Sequence, residues 1–581
     1  MKTKKLKIIS LLLVLTVLLA GCNGNVSSPM ETNSSEDIPV KADITSQYRI
    51  TEDTVPFYVE DASHKETINL YYVDGGTVPY ISMDTVLEFL QNLHDKELYE
   101  LEYNGEHAIF TRKGTKLTCD FDFENDTITF FDYDAFLRNE AGPIVNVGIP
   151  DDSAIAPLFS EEEVYSNDRY GKVMTFDLKP YDINIVHEGD GYYAPLQTIS
   201  DIILTYNVDF ILCNGEAVFY VPGALDDDLA KIYYSASSTR TEEFAKFDYN
   251  ELCLALDYEY GLKEIHNITS FDDFFFECGV RNKLMGTDQT EADIALKQFI
   301  EYQLDDLHSG FNTRSYMSDE ETFEKASAEI AGPWRLRFNH NSKDFLNARD
   351  KAFPEGVPPY EEIGDTAYIT FDHFSHPVDE IDYMSDPTEE ELYDTIRLIQ
   401  YSRDKILRPD SPIKNVVMDL SLNPGGTAVS AAYVIAFYLG LGDLSVVNTM
   451  TGAAGVAAYQ IDTNRDGEFN AEDHLSLKGL NLYCLISPES FSCGNLVPNA
   501  FMMSPRVTLL GMTSGGGSCG VHHMSTAGGS TIQISGYKRI SIFKNGSFYD
   551  IDRGATPDFG IAKIDDYYDR KALTDYIDNL F

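Results

Sequence analysis

The sequence Asp-Leu-Ser-Leu-Asn-Pro-Gly-Gly at residues 419–426 limits the possible folds of this chain more than any other feature. It follows an apolar run, Ile413 to Met418, which predicts a buried strand. An Ala-rich segment at 427–439 comes next and predicts a helix. A glycine turn between such a strand and helix leaves backbone N–H groups free at the helix start. These groups suit a developing negative charge.

A second segment presents a serine. The apolar residues Leu482 to Ile486 predict another buried strand, and Phe-Ser-Cys-Gly-Asn follows at 491–495. Ser492 is then expected at a strand-to-helix turn, where its hydroxyl is accessible. An anion site together with a presented hydroxyl indicates acyl transfer. The alternatives are that Ser492 only caps a helix, or that Cys493 is the nucleophile, which we consider less favoured.

The first 22 residues predict a cleaved lipoprotein signal. Four lysines precede an apolar run from Ile8 to Val17, and Leu-Ala-Gly-Cys at 19–22 is similar to a bacterial lipobox. We expect a lipid anchor on Cys22 and a location on the extracytoplasmic face of a bacterial cell membrane. The alternative is an ordinary signal peptide or a single anchor helix. Residues 23–45 are polar and predict a flexible tether.

Charge and cysteine content exclude some classes of function. With 44 basic and 94 acidic residues the formal net charge is −50, so we expect no nucleic-acid partner. Seven cysteines follow Cys22, with no Cys-x-x-Cys pair and no metal-binding spacing. An odd number in an exported protein argues against a complete disulfide framework.

The 581 residues divide into regions of different character. Strand-forming residues dominate 46–228, which we interpret as a strand-rich α+β region of two weakly repeated units, at 78–90 and 193–204. The remainder predicts a helical connector at 229–313, linking loops at 314–364 and an α/β core at 365–581.

Five motifs in one order resemble a known family. They are Asp-Asp-Leu-His-Ser-Gly-Phe at 305–311, the glycine turn at 419–426, Ser-Cys-Gly-Asn at 492–495, Gly-Met-Thr-Ser-Gly-Gly at 511–516 and Gly-Ala-Thr-Pro-Asp at 554–558. Their spacing is similar to that of the C-terminal processing (tail-specific) serine peptidases, which include the tricorn core and retinoid-binding-protein-like members. The resemblance covers roughly residues 240–565.

The resemblance has implications for fold and chemistry. It implies a crotonase-like α/β core, a polypeptide substrate and Ser492 as the nucleophile. It also implies an oxyanion hole formed by the backbone N–H groups of Gly425, Gly426 and Cys493. We expect no organic cofactor.

The general base departs from the pattern of many members of that family. They carry a lysine in the segment after the Thr-x-Gly turn, whereas here the position falls near Gly517 and the segment has no lysine. The resemblance to the other branch implies His308 as the base, and a neutral imidazole is competent for that role. The orienting acid is then Asp552 or Asp550, with Asp552 favoured.

Alternatives remain open at this stage. His308 could be a structural or surface histidine, with His522 or His523 as the base, and the two aspartates could be solvated loop residues. About 55 residues separate His308 from the predicted strand at 367–371, fewer than the roughly 80 to 100 of the family's PDZ domain, so we expect none there.

A loop at 462–473 predicts a structural calcium site. Its sequence fits the Asp-x-[Asp/Asn]-x-[Asp/Asn]-Gly pattern, with glycine at the sixth position. The expected ligands are the side chains of Asp462, Asn464, Asp466, Asn470 and Asp473, with the carbonyl of Glu468. The alternative is a surface turn rich in Asp and Asn.

The sequence therefore predicts a lipid-anchored, extracytoplasmic serine endopeptidase of the tail-specific type, which hydrolyses peptide bonds through an acyl-enzyme. The alternative is a catalytically inactive binding or scaffold lipoprotein on the same fold, because a fold does not guarantee activity.

Overall fold

The computed structural model describes residues 47–580, apart from 94–96, 139–152, 167–171, 208, 377–380 and 545–546. The predicted signal, the lipidated Cys22 and the tether therefore lie outside the described residues. None of the helices in the described ranges is long and apolar enough to cross a bilayer.

The chain has a mixed α/β fold. Its strands are β1 (Ile50–Val59), β2 (Lys65–Val73), β3 (Tyr80–Ser82), β4 (Tyr99–Asn104), β5 (His107–Arg112), β6 (Thr118–Asp122), β7 (Thr127–Phe130), β8 (Phe159–Ser166), β9 (Met174–Asp177), β10 (Val186–Glu188), β11 (Gly191–Pro195), β12 (Asp209–Cys213), β13 (Val218–Pro222), β14 (Gly310–Thr313), β15 (Tyr360–Ile363), β16 (Thr366–Thr370), β17 (Asn415–Asp419), β18 (Gly442–Asn448), β19 (Ala454–Ile461), β20 (Asn481–Ile486), β21 (Val507–Gly511), β22 (Cys519–Ser525), β23 (Thr531–Lys544), β24 (Ser547–Tyr549) and β25 (Phe559–Gly560).

The α-helices are α1 (Met83–Asn92), α2 (Tyr133–Leu137), α3 (Leu196–Ile203), α4 (Asp227–Tyr233), α5 (Glu242–Glu259), α6 (Phe271–Glu277), α7 (Arg281–Leu284), α8 (Gln289–Gln298), α9 (Glu320–Ser327), α10 (Pro333–Ala352), α11 (Thr395–Ile406), α12 (Ala428–Leu439), α13 (Cys493–Met502), α14 (Asp565–Tyr568) and α15 (Arg570–Ile577). A π-helical turn, Phe299–Leu304, continues α8.

A six-stranded sheet in the order β15-β16-β17-β20-β21-β25 forms the centre of the C-terminal half. All its neighbouring pairs except β15–β16 are parallel. Side chains alternate between two buried faces: Val416 and Met418 pack with α11, α12 and α13, whereas Val417 packs with α10, α14 and α15. A parallel sheet covered on both faces explains the near-continuous apolar runs of its strands.

A second sheet lies beside this core, with β14, β23, β18, β19 and β8 in that order and β22 and β24 also paired with β23. Strand β8 belongs to the segment 46–228, which we predicted to be a separate N-terminal region. That boundary is wrong, because Phe159 pairs with Ile461 of β19. The neighbouring Ile155 and Leu158 are buried in the apolar cluster that contains α12, which fixes β8 to the core.

Two sheets form most of the N-terminal region, in the orders β10-β11-β3-β2-β1-β13-β12 and β4-β5-β6-β7-β9. Each repeated segment is a short strand followed by a helix: β3 leads into α1, and β11 leads into α3. The two strands pair antiparallel, with Pro195 opposite Tyr80 and Tyr193 opposite Ser82. The repeated segments therefore lie side by side in one sheet.

The prediction of linking loops over 314–364 is wrong for much of that range, which contains α9 and the 20-residue α10. Pro333 occupies the first turn of α10, where proline is favoured. The Asp305 carboxylate accepts the free N–H groups of Trp334 and Arg335 at 2.6 and 3.0 Å. Phe345 is fully buried, but α10 is otherwise largely polar and exposed, so its sequence lacks a clear apolar face.

Candidate active site

Four loops meet at one edge of the parallel sheet. Because β16, β17, β20 and β21 run in the same direction, the segments that follow them all leave from their carboxyl ends. These segments contain residues 371–376, 420–427, 487–492 and 512–518. The glycine turn and Ser492 are therefore brought together by strand direction.

The glycine turn lies directly against Ser492. A Cβ atom placed on Gly425 would be 2.7 Å from Ser492 Cβ and 3.1 Å from Ser492 Oγ. Gly425 and Gly426 have φ angles of 121° and 138°, which side chains rarely tolerate. The turn is held by Phe374, whose N–H donates to Gly425 O and whose carbonyl accepts from Thr427 N, each at 2.9 Å. The close approach that the sequence predicted is present.

Ser492 has a strained backbone, with φ 56° and ψ −122°. Its N–H donates to Gly516 O at 2.9 Å, and its carbonyl accepts from Asn495 N and Leu496 N. The side chain makes no capping hydrogen bond to α13, so the alternative of a simple helix cap does not hold. A serine held at positive φ between a strand and a helix presents its Oγ toward the edge of the sheet.

The backbone N–H groups near Ser492 differ in whether they are free to bind an anion. Gly425 N–H donates to Asn423 Oδ1 at 2.9 Å, so in this conformation it is not free for an anion, contrary to expectation. Cys493 N–H lies in the first turn of α13 and has no acceptor among the described residues. Gly426 N–H likewise donates to no oxygen in the part of the chain that the structure describes. These two groups are therefore the candidates for an anion site.

His308 is held by its own turn and by β23. The Asp306 carboxylate accepts His308 N–H at 3.1 Å and Ser309 Oγ at 2.7 Å. Gln533 Nε2 donates to the His308 carbonyl at 2.8 Å. Arg335 of α10 donates to the carbonyls of Asp306 and Ser309, on either side of the histidine. The position of the His308 backbone is therefore fixed from three directions.

The His308 ring packs against an aromatic side chain. Its centroid is 4.6 Å from that of Phe491, the residue before Ser492. The side chain is buried, with 6 % exposed, and its Nδ1 has no hydrogen-bond partner in the described ranges. Burial lowers the pKa of His308 below its ordinary value, while the charges of Asp306 and Asp552 oppose the shift. The structure shows no direct hydrogen bond between the ring and Ser492 Oγ, a contact that often tightens only when substrate binds.

The two candidate acids have different surroundings. The Asp550 carboxylate forms an ion pair with Arg539 at 2.6 Å and is 39 % exposed. Asp552 accepts hydrogen bonds from Ser518 N at 3.1 Å and Ser518 Oγ at 3.2 Å. The charge of Asp552 opposes the lowered pKa of His308, whereas Asp550 is committed to Arg539, so Asp552 is favoured as the acid near the histidine.

The structure also bears on the competing bases. His522 Nε2 is 2.9 Å from the buried carboxylate of Glu259, so its ring is already occupied. His523 is half-buried, and its Nδ1 has no partner among the described residues. A Cβ on Gly517, where a lysine would be expected, would lie 2.7 Å from the Phe491 ring at a φ of 86°. There is no space for a lysine at that position.

Cys493 is unsuited to be the nucleophile. Burial raises the pKa of its thiol to about 12, and Sγ donates to Gly426 O at 3.1 Å. A thiol must ionise to be a strong nucleophile, and this one stays protonated at neutral pH. The seven described cysteines are all unpaired.

In the loop at 462–473, side-chain carboxylates accept hydrogen bonds from the loop's own backbone N–H groups. Asp462 accepts from Arg465 N at 2.6 Å and Gly467 N at 2.8 Å, and Asp473 accepts from Thr463 N and Asn470 N, each at 2.9 Å. Both carboxylates are buried, with 0 % and 2 % exposed. Among the described residues, His, Cys, Asp and Glu side chains form no group of three or more that could hold a metal ion. The other expected ligands make Asx turns: Asn464 accepts from Asp466 N, Asp466 from Glu468 N, and Asn470 from Glu472 N.

Three residues that support the site were not assigned a role from the sequence. Asn423 holds the glycine turn, Ser518 holds Asp552, and Phe491 packs on the His308 ring. Asn423 lies inside the glycine-turn motif, so the sequence could have indicated its contact with the turn. The other two contacts depend on how separate loops meet, which no local pattern reports.

Comparison with known proteins identifies the core. The model of peptidase family S41 matches residues 365–561, which contain the glycine turn, Ser492 and Asp552. These residues belong to peptidase family S41. The family consists of serine peptidases, and the chain is accordingly a serine-type peptidase. His308 lies outside the matched range. No curated protein matches the chain.

Several solved structures have limited similarity to this chain, including the following three. A photosystem II D1 C-terminal processing protease is 17 % identical with a TM-score of 0.25, covering 34 % of this chain and 42 % of its own. A lipoprotein from Streptococcus agalactiae is 13 % identical with a TM-score of 0.31, covering 55 % and 92 %. Mature CPAF in complex with lactacystin is 12 % identical with a TM-score of 0.36, covering 58 % and 97 %. Since all three scores are below 0.5, the family assignment depends on the match at 365–561.

Proposed function

We propose that this S41 peptidase is an endopeptidase of the tail-specific type, with a crotonase-like core, that cleaves polypeptides through a covalent acyl-enzyme. The observation that carries the proposal is the contact between Ser492 and the glycine turn, with the buried His308 ring packed on Phe491, the residue before Ser492. A hydroxyl, a neutral imidazole and free N–H groups are the parts that acyl transfer requires.

In the proposed reaction, Ser492 Oγ attacks the carbonyl carbon of the scissile peptide while His308 takes the hydroxyl proton. The carbonyl oxygen becomes an anion, which the N–H groups of Cys493 and Gly426 stabilise. His308 then donates its proton to the leaving amine, and the C–N bond breaks. Water, deprotonated by His308, hydrolyses the ester, and Ser492 regains its proton. Asp552 stabilises the protonated ring during each transfer.

The pH dependence of peptide hydrolysis tests this proposal. A base must be neutral to accept a proton, and burial keeps the pKa of His308 below about 6.5. Activity should therefore be retained at pH 6.5 and fall as the pH drops through the lowered pKa of His308. The measurement is kcat/KM for a fluorogenic peptide between about pH 5 and pH 8. A half-maximal acid limb at or above about pH 7 would contradict His308 as the base.

We also propose that the loop at 462–473 binds one calcium ion. Its support is the pattern of oxygen donors and the burial of Asp462 and Asp473, two like charges that a cation would stabilise. When bound, the ion would supply structural stabilisation, with Asn464, Asp466, Asn470 and the Glu468 carbonyl as further ligands. We expect EDTA to lower the melting temperature by a few degrees, and calcium but not magnesium to restore it.

The matched variant for the calcium experiment is Asp473→Ala, whose melting temperature should not respond to EDTA. Asp443→Ala, at an exposed aspartate position in β18 outside the loop, controls for loss of a carboxylate. An unchanged melting temperature of the wild type in EDTA would overturn the calcium proposal and favour an Asx-rich surface turn.

The location is a further proposal, supported by the lysines, apolar run and Leu-Ala-Gly-Cys at the start of the sequence. We propose that the mature chain is attached through lipid on Cys22 to the outer face of the cell membrane. Growth with an alkyne fatty acid should label the wild type, and Cys22→Ala should remove the label and release the protein from membranes. Equal labelling of both would refute the anchor.

A further inference from the structure

A buried amide connects the helix of the nucleophile to the loop that carries Asp552. Asn495 lies in the first turn of α13 and is fully buried. Its backbone N–H donates to the Ser492 carbonyl at 2.9 Å, and its Nδ2 donates to the Ile551 carbonyl at 2.9 Å. One residue therefore holds the strained serine on one side and the residue before Asp552 on the other.

Ser514 supplies a second connection to the same loop. Its Oγ donates to Asn495 Oδ1 at 2.7 Å and accepts from Ala555 N at 2.7 Å. Ser514 N–H also donates to the Ala555 carbonyl at 3.1 Å. The loop is thus fixed at Ile551 and at Ala555, which lie on either side of Asp552.

Asp552 and Ser492 are connected indirectly, through these hydrogen bonds. The described contacts of the Asp552 carboxylate are with Ser518, and none joins it to Ser492. Without the side chains of Asn495 and Ser514, the acid loop would lose the bonds that align it with the start of α13. A displacement of about 1 Å in a catalytic group can cost on the order of 100-fold in rate.

We propose that Asn495 and Ser514 are positioning residues, which couple the place of Asp552 to that of Ser492. This inference rests on the proposed function, because it assigns Asp552 the role of the acid beside His308. Both side chains are buried away from solvent, so we expect neither to contact the substrate. Their effect is on kcat through the acid loop, with little effect on substrate binding.

A double-mutant cycle tests the coupling. We expect Asn495→Ala to lower kcat by about 10- to 100-fold with KM changed by less than about threefold. In an Asp552→Asn background the same substitution should have almost no further effect, because the aligned acid is already lost. Ser514→Ala, which removes one hydroxyl, should behave in the same way. The readouts are peptide hydrolysis and the rate of labelling by a fluorophosphonate.

Asn499→Ala is the matched control, since Asn499 lies one turn further along α13 and its side chain hydrogen-bonds to Asn495 but not to Ile551 or Ala555 of the acid loop. It should lower kcat by less than about threefold. Effects of Asn495→Ala and Asp552→Asn that multiply, or an equal loss in Asn499→Ala at the same melting temperature, would overturn the inference. Full activity of Ser492→Ala would instead refute the proposed function itself.

Discussion

Ser492→Ala is expected to reduce peptide hydrolysis by about 10⁴-fold or more, which is the largest effect that we predict. The substitution removes the only atom that forms the acyl bond, and the buried thiol of Cys493 cannot replace it because its pKa is raised to about 12. The N–H groups of Cys493 and Gly426 remain, so substrate should still bind with little change in affinity. The measurement is kcat and Kd for one peptide with wild type and variant.

Ser504→Ala is the control for this experiment, because Ser504 lies just after α13 and its Oγ accepts only a weak hydrogen bond from Arg506 N at 3.3 Å. It should retain wild-type activity and melting temperature. Hydrolysis by Ser492→Ala within about tenfold of wild type would show that another group is the nucleophile.

His308→Ala should have the second largest effect, a loss on the order of 10⁴-fold in kcat. Without the imidazole, the hydroxyl of Ser492 has no base to accept its proton, and the neighbouring carboxylates of Asp306 and Asp552 are committed to Ser309 and Ser518. The same loss should appear in the rate of labelling by a fluorophosphonate, because that reaction also needs an activated serine.

His523→Ala is the matched control, since it removes a second half-buried imidazole whose Nδ1 also lacks a partner among the described residues. We expect it to keep at least about a third of wild-type kcat. The reverse result, with His523→Ala inactive and His308→Ala active, would show that His523 of β22 is the base.

The central sheet could be predicted because its strands are short apolar runs bounded by turn residues. The predicted strand at 413–418 corresponds to β17, and the predicted helix at 427–439 corresponds to α12. Both faces of a parallel sheet are buried, so its strands carry a strong local signal. In contrast, α10 exposes most of its length to solvent, and β8 joins the core by pairing with a strand almost 300 positions away.

The part of the site whose backbone is determined by a motif could be predicted. The side-chain contacts within and between its loops could not. Ser492 and the glycine turn follow parallel strands, so their meeting follows from strand direction. The occupation of Gly425 N–H by Asn423 is a side-chain contact within one turn, and the hydrogen bond from Ser518 to Asp552 joins residues far apart in sequence. Such contacts leave no periodic pattern in the chain.

Covalent labelling by a fluorophosphonate, mapped by peptide mass spectrometry, tests the central claim most directly. The proposed site predicts one adduct, on the peptide that contains Ser492, formed rapidly in the wild type, slowly in His308→Ala and not at all in Ser492→Ala. An intact, calcium-loaded wild type that forms no adduct would contradict a working peptidase and favour an inactive binding protein. An adduct on any other residue would contradict the assignment of Ser492.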